Sequence, residues 1–255
     1  MQEKIVLSEA KGVYRLGDAV CRPAEPWSAN VQALLRHLRQ RGLTAPQPLG
    51  VNERGEEQIA FVDGERVHPY RWTDEGLYAV GQLVARLHAA AADFRPPDGE
   101  VCQSWCLREL GGRGRVWCHG DIAPWNMVTE RELPKTLVDW EMAGPLDPLV
   151  ELARVCWLFP QLVDDDLGAL YELPDPENRA RQARLVCEGY GLDRKGRAEL
   201  TQQMLEVVIC ETAHEAIDPA LTFDAQGPLW GFAWRTRSLY WIWRNRALLH
   251  RTLTA

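Results

Sequence analysis

His119-Gly120-Asp121-Ile122-Ala123-Pro124-Trp125-Asn126, followed by Asp139 in Leu137-Val138-Asp139-Trp140-Glu141, is the stretch on which the reading of this chain turns. An Asp, an Asn five residues on and a second Asp beyond a short hairpin meet the needs of phosphoryl transfer. One group must orient a hydroxyl, and two must hold Mg2+. Met127-Val128-Thr129 and Thr136-Leu137-Val138 are short β-branched apolar runs. The polar, Pro-containing Glu130 to Lys135 separates them, which predicts a hairpin with Asn126 and Asp139 as neighbours at its open end. Amide and carboxylate oxygens suit Mg2+, which takes a few protein ligands and leaves the remaining octahedral positions to water and phosphate. Asp121 lies on the approach loop, where its carboxylate can accept the proton of an incoming hydroxyl. The transition state is loose, so orientation is the larger part of that role.

His-Gly-Asp-x-x-x-x-Asn followed by Asp-Trp-Glu resembles the aminoglycoside phosphotransferase and choline kinase branch of the protein-kinase-like fold, the phosphotransferase enzyme family. Leu87-His88 at the end of a predicted helix, Ala143-Gly144-Pro145 and Glu151-Leu152-Ala153 agree with it. The resemblance spans most of the first 160 residues, and little in the last 95 matches. It implies that Asp121 is the catalytic base, that Asn126 and Asp139 bind the metal, and that His119 braces the loop. It also implies an α+β, bilobal protein-kinase-like fold. A small antiparallel-sheet lobe with one helix, residues 1–64, would clamp the nucleotide, and a larger, mainly helical lobe, residues 65–255, would carry catalysis and substrate binding.

The N-terminal strands are expected at Ile5-Val6-Leu7, Val13 to Leu16 and Ala19 to Arg22, with a Gly17-Asp18 turn. Ser8 to Gly12 would occupy the phosphate-covering loop with a single glycine, so close approach of backbone amides to phosphate is restricted. Kinases place a Lys on the third strand against the α- and β-phosphates, and the matching position here is Arg22. The chain has four Lys against 25 Arg, so a general Arg preference can account for that choice. Arg carries a bidentate fork and is not interchangeable with Lys. Lys11 is a second candidate for a phosphate contact. The next helix is expected from Ser28 as N-cap to Gly42 as stop. Its family Glu position falls on Val31, and no carboxylate lies between Glu25 and Glu53, so the usual ion pair to the strand cation is expected to be missing. Pro46 to Val51 and Glu57 to Val62 read as two further strands, with Phe61 and Val62 as the interlobe hinge that reads the purine through its backbone. Backbone recognition leaves ATP and GTP both open as donors.

Thr73 to Ala92 has helical spacing, as do Glu151 to Leu158, Asn178 to Gly189, Leu200 to Ile217 and Trp230 to Leu249. Trp230, Trp234 and Trp241 share a helical face, for which core packing is the default reading over a stacking platform. Asp164-Asp165-Asp166, Glu211, Glu215 and Asp218 are candidates to line a pocket for a cationic acceptor, Glu211 and Glu215 best because one turn separates them.

A net charge of −7, from 29 basic and 36 acidic residues, argues against nucleic acid as a partner and favours cationic ligands. Seven cysteines without regular spacing point to reduced thiols in a cytosol, and Cys102 and Cys106 lack a second pair for zinc. The charged N-terminus carries no signal segment, and no stretch is apolar enough to span a bilayer. The sequence thus predicts an ATP- or GTP-dependent kinase that phosphorylates a hydroxyl of a small molecule. An aminoglycoside, or another amino- or nucleoside-containing natural product, is the leading acceptor, which would make the protein an antibiotic-resistance enzyme. The competing readings are a catalytically silent nucleotide-binding regulatory protein and a metal hydrolase built on His119 and Asp121, for which no His-rich ligand set exists.

Overall fold

The computed structural model describes residues 3–112, 114–217 and 229–255. Strands β1 (Lys4–Ser8), β2 (Val13–Leu16), β3 (Ala19–Pro23), β4 (Pro48–Val51) and β5 (Glu56–Ala60) form one sheet in the order β1-β2-β3-β5-β4. Every neighbouring pair in it is antiparallel. The turn between β1 and β2 closes with the Gly12 amide donating to Glu9 O, and Gly12 takes φ +63°, which glycine adopts at little cost.

Helix α1 (Ser28–Gln40) packs its buried Val31, Leu34, Leu35 and Leu38 into the core. Ser28 is not its N-cap. It is the first helical residue, and its hydroxyl accepts from the Glu25 amide ahead of the helix instead of from an amide of the first turn. Gly42 ends the helix as expected. At φ +81° it lets Leu43 N–H reach Leu38 O and its own N–H reach Arg39 O, a Schellman closure.

The helical part begins with α2 (Asp74–Ala91), capped by Thr73 Oγ1, which accepts from Gly76 N. Strand β6 (Val116–Cys118) pairs with β9 (Gly144–Leu146), and between them lie the Asp121 loop and the hairpin β7 (Met127–Glu130)–β8 (Leu133–Leu137). The hairpin turns at Arg131 and Glu132, both with positive φ, so its strands run further than the sequence pattern suggests and Pro134 sits inside β8. A bulge next to Val128–Thr129 accommodates the register change there.

Six further helices follow among the described residues. They are α3 (Pro148–Leu158), α4 (Asp165–Leu170), α5 (Pro176–Tyr190), α6 (Arg194–Ile217) and the pair α7 (Trp230–Arg244) and α8 (Arg246–Thr254), which breaks the single helix expected from Trp230 to Leu249. Apolar side chains of α1, α2, α3, α5, α6, α7 and α8 share one core. The Trp stripe of α7 divides: Trp241 is buried at 3% exposure, whereas Trp230 is 55% exposed. None of the described helices is long and apolar enough to cross a membrane. Asp218 and the break at Asp218-Pro219 lie outside the described residues.

Candidate active site

Two buried struts hold the Asp121 loop from behind. Gly120 has φ +83°, and a Cβ there would lie 2.1 Å from Met142 O, so only glycine fits. Its N–H donates to Glu151 Oε1 at 2.6 Å, and the other oxygen of Glu151 meets His88 Nε2 at 2.8 Å. Burial alone would raise the Glu151 pKa, but the hydrogen bond and charge of His88 outweigh it and hold the carboxyl below its usual range. The second strut is His119, which is fully buried. Its Nδ1 accepts from Asp121 N–H at 3.2 Å, which requires the proton to sit on Nε2, and that nitrogen reaches Val138 O at 3.1 Å. Burial pushes the His119 pKa down, so the ring is a neutral clamp between the loop and the strand end that precedes Asp139.

The Asp121 carboxylate is fixed at both oxygens. Arg154, buried on α3, lies 2.7 Å from Oδ1, and Asn126 Nδ2 donates to Oδ2 at 2.9 Å. Asn126 also donates to Asp121 O, so its amide nitrogen is fully committed and the side-chain oxygen is left to face elsewhere. Val138 N–H donates to Asn126 O at 2.9 Å, which sets Asn126 and Asp139 side by side as the hairpin reading requires. Asp139 has φ +63°, a region that Asp enters more readily than most residues. Burial and the nearby Glu141 charge raise its pKa, with Arg22 and Lys11 opposing. A carboxylate so incompletely compensated, beside an amide oxygen whose nitrogen is occupied, is a donor set that fits a hard divalent cation such as Mg2+.

Asn126, Asp139 and Glu141 line one cavity of about 290 Å3 together with Lys11, Arg22 and the sheet residues Val13, Val20 and Ile59. The cavity thus has charged groups at one part of its wall and an apolar sheet face at another. Phe61 and Val62 line it as well. Phe61 N–H already donates to Asp18 O at 2.7 Å and its ring lies 3.7 Å from the Arg15 guanidinium. Of the two hinge candidates, Phe61 thus has its amide already engaged. Lys11 is ion-paired with Glu141. Burial lowers its pKa, but the hydrogen bond and charge of Glu141 outweigh this and raise it.

Helix α1 carries no carboxylate, yet Arg22 finds an ion-pair partner elsewhere. Arg22 Nε meets Glu57 Oε2 at 2.6 Å, and the other Glu57 oxygen accepts from Gln32 Nε2 of α1 at 3.1 Å. Glu57 lies directly opposite Arg22 in the β3–β5 register and is 1% exposed. The carboxylate that a kinase-like helix would supply comes from the adjacent strand, with α1 contributing an amide to hold it. The only local signal was a Glu on the cavity-facing side of a strand, two residues before Ile59.

The acidic candidates of the helical part sit differently from the open face expected of them. Glu211 is 1% exposed, and its carboxylate meets Arg154 and Arg235. Glu215 pairs with Arg235 at 3.0 Å. Asp164 and Asp166 both pair with Arg237, and Asp165 pairs with Arg179. One chain of ion pairs therefore runs Asp121–Arg154–Glu211–Arg235–Glu215.

The chain is similar to several known proteins. The model of the Phosphotransferase enzyme family matches residues 102–184. A trifolitoxin immunity protein of Rhizobium leguminosarum bv. trifolii is 41% identical over 246 residues, covering 94% of each chain. The structure of an amicoumacin kinase in complex with AMP-PNP and Ca2+ superposes with TM-score 0.67 at 13% identity, covering 98% of this chain and 88% of that one. A choline/ethanolamine kinase family protein from Mesorhizobium loti gives TM-score 0.58 at 18% identity, with 99% and 91% covered. These two structures bear on the fold, which is protein-kinase-like. The motif, the fold and the sequence relationship together lead to one conclusion: the chain belongs to the phosphotransferase enzyme family.

Proposed function

We propose that the protein transfers the γ-phosphoryl group of ATP or GTP to a hydroxyl of a small molecule. The observation that carries this reading is the convergence of Asp121, Asn126 and Asp139 beside a cavity that also holds Lys11 and the Arg22–Glu57 pair. Residues 1–64 clamp the nucleotide, with the base against Val13, Val20 and Ile59 and the Val62 backbone at the hinge. Residues 65–255 carry the chemistry and the acceptor. Asn126 and Asp139 hold Mg2+, which when bound neutralises charge on the phosphates.

Arg22 and Lys11 face the phosphates. Arg22 stands only 3.5 and 3.6 Å from Asp139 and Glu141, loose contacts that an entering phosphate replaces, while the Glu57 bond keeps the guanidinium in place. Asp121 accepts the acceptor's hydroxyl proton as the oxygen forms its bond to phosphorus. The bond from phosphorus to the bridging β-phosphate oxygen breaks, and the nucleoside diphosphate leaves with that electron pair. Because Arg154 and Asn126 pin both oxygens of Asp121, its chief contribution is orientation. The sequence relationship to a toxin immunity protein favours an antibiotic-type natural product as acceptor and resistance as the outcome.

Asp121→Asn tests the assignment. The new amide keeps the shape but turns a donor toward either Arg154 or Asn126, and it cannot take the proton. Transfer should fall at least a hundredfold, while the thermal shift produced by Mg2+ with ATP or GTP persists. Loss of both would make the loop structural, and absence of any nucleotide-dependent shift in the unmodified protein would remove the kinase reading itself.

A further inference from the structure

A second cavity, of about 310 Å3, adjoins the first, and Trp125 of the Asp121 loop lines both. Its position beside that loop makes it the acceptor's place if the proposed transfer is correct, and the inference rests on that reading. The wall of this cavity is aromatic: Trp125, Tyr171, Trp230 and Trp234 line it together with His68. Trp234 is held by stacking on the buried Trp157, ring centroids 5.3 Å apart and planes 28° apart, and Trp125 meets His68 edge-on at 5.4 Å. Trp230 and Tyr171 remain 55% and 40% exposed, an apolar area that water covers at a cost.

No carboxylate lines this cavity among the described residues, and its one formally charged side chain is the guanidinium of Arg235. The acidic groups that composition suggested for a cationic ligand are instead tied to arginines: Asp164 and Asp166 to Arg237, Asp165 to Arg179, Glu211 and Glu215 to Arg235. A polyammonium ligand placed here would lose hydration at each ammonium without a carboxylate to replace it. A ring slid between indoles gains burial and stacking.

We infer that the acceptor is an uncharged hydroxyl compound bearing an aromatic ring, bound with the ring among Trp125, Trp230 and Trp234, and that polyamine sugars are not its substrates. Arg235 has a part beyond lining. It joins the cavity to Asp121 through Glu211 and Arg154, and because Glu211 and Glu215 already balance its charge it adds no unpaired cation for an anionic acceptor.

The test measures binding to the protein saturated with Mg2+ and AMP-PNP, by ligand-observed NMR and calorimetry, with tryptophol, indole-3-lactate, tryptamine, choline and kanamycin as probes. Tryptophol should bind at least about tenfold more tightly than indole-3-lactate, tryptamine, choline or kanamycin. Trp234→Ala should weaken tryptophol binding about tenfold, the scale of a lost aromatic stack. Trp230→Ala, at an exposed position that the fold does not need, should weaken it in the same direction. Tighter binding of kanamycin or choline than of tryptophol overturns the inference. So does tighter binding of indole-3-lactate than of tryptophol, failure of tryptophol to bind at millimolar concentration, or binding that neither Trp variant changes. The thermal shift with Mg2+ and AMP-PNP alone reports the kinase reading separately, so failure of one is distinguishable from failure of the other.

Discussion

Replacing Glu57 by glutamine removes the charge that anchors Arg22 while keeping the volume of the side chain. Glu57 is 1% exposed and its oxygens accept from Arg22 Nε at 2.6 Å and from Gln32 Nε2 at 3.1 Å. The new amide presents one oxygen and one NH2, so either Arg22 or Gln32 then faces a donor. A charge-assisted hydrogen bond contributes about 1.5–3 kcal/mol, and removing one partner of a well-buried pair costs about 3–5 kcal/mol. The Arg22 side chain is 14% exposed, so water relieves part of the loss and the lower range applies. At roughly 2–4 °C per kcal/mol for a chain of this size, Tm should drop by about 3–12 °C.

The functional effect has a separate origin. Freed from Glu57, the guanidinium moves toward the carboxylates of Asp139 and Glu141, now 3.5 and 3.6 Å away, and there it opposes the metal that Asp139 is proposed to hold. We expect Kd for Mg2+ with AMP-PNP to rise about tenfold, ~1.4 kcal/mol, with KM for the acceptor unchanged. Calorimetry on Glu57→Gln, Arg22→Gln and the double variant completes a cycle. The double variant should bind no worse than the weaker single one, because each change removes the same interaction. Unaltered affinity in a folded Glu57→Gln protein would refute the reasoning, and so would effects that add within about 0.5 kcal/mol.

Three more outcomes follow from the geometry. Gly120→Ala forces a Cβ to 2.1 Å from Met142 O at φ +83°, so chemical denaturation should show a loss of about 3 kcal/mol or more, with transfer activity reduced further than stability. Asp139→Asn should weaken the Mg2+-dependent part of nucleotide binding about tenfold or more, yet not lower the apo Tm at pH 7. Its carboxyl is held above the usual range by burial and Glu141, so its ionised form does not stabilise the fold, and Asn tolerates the φ of +63°. Glu151 has the opposite sign. Its folded pKa lies below the unfolded value near 4.5, because His88 overcomes the effect of burial, so its stabilisation is complete above pH 4.5 and is lost as pH falls through the depressed folded value. The stability gap between the natural protein and Glu151→Gln in urea titrations should therefore shrink as pH is lowered below 4.5, and a gap that widens would contradict this linkage.

Local pattern was enough for the elements that satisfy themselves locally. Helix α2 announces itself through Thr73 and a three-and-four spacing of apolar residues, and the β7–β8 hairpin through its alternation and polar turn. The Ser28 cap misled because a hydroxyl one position into the helix can turn back to the preceding Glu25 amide as readily as forward. The division of α7 from α8 at Asn245 carries no Gly or Pro to mark it. Helix spacing does not reveal Glu57 as the partner of Arg22, because cross-strand register places the carboxylate opposite it on a neighbouring strand 35 residues away.

By itself the sequence determined the proposed catalytic end of this protein. Asp121, Asn126 and Asp139 are joined by one tight loop and one hairpin, and connections that short leave the chain few ways to arrange them. The charge state of the surroundings was decided only in the tertiary structure. Acidic residues that composition offered to a cationic ligand found arginines 14 to 73 residues distant, as Asp165 did with Arg179 and Asp164 with Arg237. Pairing across helices depends on which faces the core brings together, and a carboxylate's sequence neighbours do not say whether it will meet a ligand or a guanidinium.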